Sequence, residues 1–230
     1  MLTGLLINYK LAPLMIRQDT KFGQKSTMPM QQLLSNIISQ DTSHAQFLNT
    51  LSFMENAGAR KISACEHPET VSLMILKHAA EEHRHAYYLK KQLNKVFPGK
   101  CATYARETLI APSESCCYLN KLDVLSSRYL KKEMGLSGAD LRYAAYLFVT
   151  YAIELRADEL YPLYQFELSK VQHKVTVKSI IIEEAGHLEE MILQLEHFSA
   201  DWKTHAAIII DIEHQLFKKW IAAMQLSITI

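Results

Sequence analysis

The chain has 230 residues, of which 49% are apolar and 21% charged, with a formal net charge of +1. That length can bury one sizeable core, whereas the near-neutral charge gives no basic surface for a phosphate backbone, so no nucleic-acid partner is expected. No apolar run reaches the ~18 residues of a membrane span, and the four cysteines (Cys65, Cys101, Cys116, Cys117) contain no C-x-x-C pair. Reduced thiols and a cytoplasmic location follow as expectations.

In chain order, the N-terminal stretch MLTGLLINYKLAPLMIRQ is mildly apolar but lacks a basic start and a small-residue cleavage site. It is expected to be a packing lead-in. Helical periodicity then begins near Met28 and runs to about Ile62, with room for a break near Gln40–Ser43. A second helix is expected over 68–97, opening at Pro68 or Thr70 and stopped by Pro98-Gly99. The connection 98–137 is long and contains the helical-looking LNKLDVLSSRYLKKEM. A third helix is expected over 138–169, with Ser137 as N-cap candidate, and a fourth over 171–198. An amphipathic C-terminal helix over 201–226 could be a subunit contact in a homodimer. Only 7 glycines and 6 prolines punctuate all this, so the class is all-α, one domain over 1–230.

The sequence EEHRH at 81–85 returns as EEAGH at 183–187, so Glu-Glu-x-x-His occurs twice, 102 residues apart. On a helix, Glu82 and His85 share a face, as do Glu184 and His187, and each pair can reach one metal ion. One such pair means little. The upstream acids add weight, because Glu55 precedes the first motif glutamate by 27 residues and Glu154 precedes the second by 30. That length lets one helix finish, turn and return antiparallel to the same level. Glu154 also ends the run YAAYLFVTYAI (143–153), apolar nearly all round, which implies burial on most sides. A buried carboxylate needs a strong partner. That partner is either a metal or a basic group such as Arg156 or Arg142.

Glu55, Glu82-x-x-His85, Glu154 and Glu184-x-x-His187 together resemble the ferritin-like di-iron carboxylate superfamily, over about 155 residues. The resemblance implies a ferritin-like four-helix bundle with one long crossover and extra helices. It implies two Fe ions, with Mn or mixed Fe/Mn as variants, held by those six residues. EEHRH is also similar to the D-E-x-R-H of bacterial di-iron monooxygenases, where the preceding acid hydrogen-bonds a ligand imidazole. By that similarity Glu81 and Glu183 orient histidines. The C-x-x-C pairs of rubrerythrins are missing.

Two residues could extend the ligand set. His78 precedes Glu82 by one turn, an offset at which the di-iron aminobenzoate N-oxygenases carry a third histidine in their last motif. Asp158 follows Glu154 by one turn; Glu159 points away, and His83 lies off the motif face. Asp41-x-x-His44 and Asp211-x-x-His214 repeat the spacing without partners and read as solvated faces. Tyr88 and Tyr151 sit a turn from His85 and Glu154 and could line the site in a catalytic role.

Four carboxylates and two imidazoles make a hard, anionic site suited to two divalent iron or manganese ions with open positions. The resemblance implies an enzyme, an oxidoreductase of the di-iron oxygenase or monooxygenase kind. It would activate O₂ or peroxide to oxidise a small organic substrate, with an electron donor as partner. Iron handling, as a ferroxidase, is the alternative, and a non-enzymatic helical interaction protein is a third.

Overall fold

The computed structural model describes residues 29–67 and 69–228. The N-terminal lead-in and Pro68, named above as one helix start, lie outside these. Among the described residues there are seven α-helices and no strand: α1 (Met30–Ile38), α2 (Asp41–Ser63), α3 (Leu73–Val96), α4 (Pro112–Met134), α5 (Gly138–Lys170), α6 (Lys178–Phe198) and α7 (Trp202–Ile228). No described helix is long and apolar enough to cross a membrane.

The helix expected over 28–62 is two helices, parted at Ser39-Gln40. There the Ser39 hydroxyl donates to the Asn36 carbonyl at 2.8 Å, and the backbone amide of Gln40 reaches back to Ile37. Local hydroxyl-to-backbone bonding of this kind competes with helix continuation. α3 opens at Leu73, later than the expected 68, because the Ser72 hydroxyl accepts the Ile75 amide as an N-cap. α6 likewise starts at Lys178 rather than 171. The crossover is mostly one long helix: Pro112 at the start of α4 costs no amide, and Gly135 (φ 67°) closes it in the left-handed region. Ser137 precedes α5 without a side-chain cap bond.

α2 with α3, and α5 with α6, form the two most extensive antiparallel pairs. α5 is also packed by α1, α4 and α7, which is why its apolar residues face every side. α7 is not left as an unpartnered face. It buries Trp202, Ile209, Leu216, Trp220 and Met224 against α4 and α5, and its Trp220 indole donates to Ser115 of α4 at 2.8 Å. The buried stripe of the amphipathic pattern thus packs within the chain, while Ile208 and Leu226 of the same helix stay exposed. One apolar cluster runs through all seven helices. The four cysteines are free thiols.

Candidate metal centre

α2, α3, α5 and α6 each bring one carboxylate to a common point, and α3 and α6 add histidines. Two groups of ligand-type atoms result, each with its atoms within 4.8 Å of one another: His78, Glu82, Glu154 and His187; and Glu55, Glu82, His85 and Glu184. All six residues singled out by the repeat are in these groups, and Glu82 is in both. The i, i+3 spacing does what the helix requires: His85 Nδ1 lies 3.8 Å from Glu82, and His187 Nδ1 lies 3.3 Å from Glu184. The motifs also interleave across the helices, with His85 Nδ1 3.1 Å from Glu184 and His187 Nδ1 3.5 Å from Glu82.

The first glutamate of each motif braces the histidine of the other. Glu183 accepts from His85 Nε2 at 2.8 Å, and Glu81 accepts from His187 Nε2 at 2.8 Å. Arg84 links the two braces, donating to Glu183 at 2.6 Å and lying 3.7 Å from Glu81. With Nε2 held as the N–H donor, Nδ1 of each ring is the nitrogen left facing inward, and it would offer its lone pair to a cation that displaces the proton. His85 Nδ1, His187 Nδ1 and Glu154 Oε2 are all buried without a hydrogen-bond partner. Unpaired buried polar atoms are costly and rare. His187 Nδ1 and Glu154 Oε2 belong to the first group and His85 Nδ1 to the second, so each group holds at least one such atom, which fits a cation-binding cluster.

Electrostatics agree. Burial raises Glu55 well above the usual carboxylate range, helped by Glu82; burial and Glu184 raise Glu82; burial and Glu154 raise Glu184. Burial opposes charge on the two imidazoles, yet Glu184 and Glu82 pull His85 up to about 12, and Glu154 and Glu184 pull His187 up to about 11. The cluster thus draws in positive charge by whatever route is open, and two divalent ions would balance its four carboxylates.

His78 belongs to the first group, and both its ring nitrogens are engaged: Nε2 with Glu154 at 2.9 Å and Nδ1 with the Tyr146 hydroxyl at 3.2 Å. Burial, then the neighbouring His187, pushes it down to about 4, so it is a neutral ring there. Asp158 does not join. It is exposed, because each i+4 step along α5 drifts about 40° around the axis and the row through Glu154 has by then turned outward. Glu159 is exposed too and pairs with Arg156, and His83 is exposed.

The two tyrosines expected at the site are directed elsewhere. The Tyr88 hydroxyl donates to the Thr176 carbonyl at 3.0 Å, and the Tyr151 ring packs edge-on against Trp202. Their places are taken by Tyr161, fully buried and donating to Glu55, and by Tyr146 beside His78. Tyr161 lies two turns beyond Glu154 on the same face, a signal that periodicity alone could have flagged. The basic partner considered for Glu154 is also elsewhere. Arg156 forms a two-point pair with buried Glu213 at 2.8 and 2.7 Å, shared with the Tyr118 hydroxyl. His214 is half-buried beside Arg156 while Asp211 is exposed. His44 is fully buried rather than solvated: its Nε2 meets the Tyr164 hydroxyl at 2.5 Å and its ring packs on Phe97 and His173. It shares an i, i+4, i+7 row of α2 with buried Leu48 and Leu51, which turns it inward.

A cavity of about 370 Å³ adjoins the cluster, reaching Glu55, Glu82 and Glu154. Leu51, Met54, Val149, Ile153 and Leu160 give it a mainly apolar wall. Comparison of the chain with family profiles, with curated proteins and with solved structures finds no match to any of them.

Proposed function

We propose that this chain is a ferritin-like di-iron carboxylate oxidoreductase, with manganese as the other metal its donors suit, acting on a small organic substrate. The observation that carries the metal assignment is the pair of buried His/Glu groups that share Glu82, in which His85 Nδ1, His187 Nδ1 and Glu154 Oε2 have no hydrogen-bond partner. Glu55, Glu82, Glu154, Glu184, His85 and His187 would hold the ions, with His78 adjoining Glu154. Two such ions supply activation of O₂ or peroxide.

The chain's own residues have distinct tasks. Glu81 and Glu183 keep the imidazoles in the tautomer that presents Nδ1. Tyr161 fixes Glu55 at the cavity edge, and His78 with Tyr146 fixes Glu154. The apolar wall excludes water and offers room for a carbon skeleton against the cluster, which favours an organic substrate over iron handling.

The test is metal analysis of protein from iron-supplied cells, followed by anaerobic reduction and O₂ exposure. The reading expects one ion for each of the two ligand groups and O₂ uptake that depends on an added organic compound and an electron donor. Rapid O₂ uptake on iron alone, with many irons accumulating per chain, would favour the ferroxidase alternative. Substoichiometric metal, unchanged in Glu154→Ala, would defeat both.

A further inference from the structure

The cavity has a polarity along its length that bears on what it holds. On α5 two adjacent i, i+4 rows line it: Leu141, Ala145, Val149, Ile153 and Ala157 form an apolar row, and Arg142, Tyr146, Thr150 and Glu154 a polar one. The polar row starts at exposed Arg142 and ends at Glu154, which is 2% exposed. The cavity therefore runs from a mouth near the start of α5 inward to the carboxylate cluster, over at most about 18 Å of helix rise.

The mouth is charged. Lys61 of α2, Asp123 of α4 and Arg142 of α5 all line it, close enough together for the Cys65 thiol to feel all three charges. Lys61 and Asp123 pair with each other at 3.0 Å. Among the described residues Arg142 has no carboxylate partner, so its guanidinium is left over and the mouth carries one net positive charge. The other arginine in the lining, Arg156, is already neutralised by its two-point bond to Glu213. It offers an incoming anion nothing.

Resting on the reading of the cluster above, we propose that the cavity takes an amphipathic monocarboxylate, an apolar chain or ring system with one anionic end. Its carboxylate sits on Arg142 at the mouth, and its apolar body lies along the Leu141–Ile153 row. Its far end lies against Glu55, Glu82 and Glu154. A planar guanidinium fits a carboxylate at two points, and one net charge matches a monoanion better than a phosphate monoester. A mainly apolar lining with one unpaired cation at its mouth selects against both a plain hydrocarbon and a short acid.

Calorimetric titration of the full chain with decanoate, decanol, decyl phosphate and acetate tests this, in metal-free and metal-loaded protein. Decanoate binds tightest and acetate does not bind. Arg142→Gln, an exposed position that leaves the fold intact, weakens decanoate about fivefold, the upper range for an ion pair near solvent, and changes decanol by less than about twofold. Val149→Phe, which fills the apolar row, abolishes both. Equal affinity for decanoate and decanol, insensitivity of decanoate to Arg142→Gln, tighter binding of decyl phosphate, or no decanoate binding would each overturn the proposal. Metal content measured on the same samples separates this from the cluster assignment: lost metal with retained decanoate selectivity counts against the cluster alone, and the reverse counts against the pocket alone.

Discussion

Replacing Glu183 with Gln removes the charge behind His85 while keeping the side chain's shape. Glu183 accepts from His85 Nε2 at 2.8 Å and is 32% exposed, with Arg84 as its other partner. A carboxylate behind a ligand imidazole contributes about 10–100-fold to metal affinity, or about 1.4–2.8 kcal/mol. Partial exposure and the acceptor oxygen that Gln retains put the loss at the low end, about tenfold. His85 is in the group with Glu55, Glu82 and Glu184, so the loss falls on one ion of the two. Glu81→Gln acts on the other through His187. Stepwise titration of metal-free protein with Mn²⁺ or anaerobic Fe²⁺ reads each step. One step weakens in each single variant, and both weaken in the double variant, because the two braces act on different histidines. Wild-type affinities for both ions in both single variants would refute the bracing argument.

His44 gives a pH signature outside the metal cluster. Burial, then His173, lowers it from 6.5 to about 3, so the folded chain keeps it neutral while the unfolded chain protonates it below 6.5. Its contribution is present above that value and is lost as pH falls towards 3, amounting to about 2 kcal/mol by pH 5. Urea unfolding of metal-free protein at pH 7.5 and 5 should show a smaller acid-induced loss in His44→Gln; equal losses would contradict it. Trp220→Ala should cost about 3–5 kcal/mol in the same assay without changing the oligomeric state, since Trp220 is 1% exposed within the chain's own core. A change of assembly in place of lost stability would make the Trp220 face of α7 a subunit contact instead. Tyr161→Phe deletes the phenol that donates to Glu55, and should weaken the Glu55-containing site about tenfold and spare the other, as for a hydrogen bond to a charged acceptor. Metal titration reads it, and two unaltered steps would remove Tyr161 from the account.

Local periodicity made the helical class and the run of α5 legible, because an apolar stretch such as 143–153 can only be buried on most sides. The same helix geometry allowed Glu82 with His85, and Glu184 with His187, to be paired from spacing alone. What spacing along one helix does not contain is the relation between helices. Glu81 and Glu183 were expected to orient histidines only through the resemblance, and that each reaches the histidine of the other motif depends on how α3 faces α6. Tyr88 and Tyr151 sit at the expected turns yet bond to Thr176 and pack on Trp202, since a neighbouring element decides which side of a shared face is inner. Asp158 failed for a reason inside the helix, the drift of an i+4 row. His44 failed although its i, i+4, i+7 row on α2, through Leu48 and Leu51, is a buried one, because reading a polar pair as solvated takes no account of that row. The Arg156–Glu213 pair joins α5 to α7 across 57 residues, a separation at which charge complementarity has no local signature.

The most direct test of the metal centre is anomalous X-ray diffraction from crystals grown with iron, measured on both sides of the iron absorption edge. Two peaks are expected between α2, α3, α5 and α6, one beside His187 Nδ1 and Glu154 and the other beside His85 Nδ1 and Glu55, with Glu82 reaching both. No peak there, or peaks confined to other parts of the chain, would contradict the account.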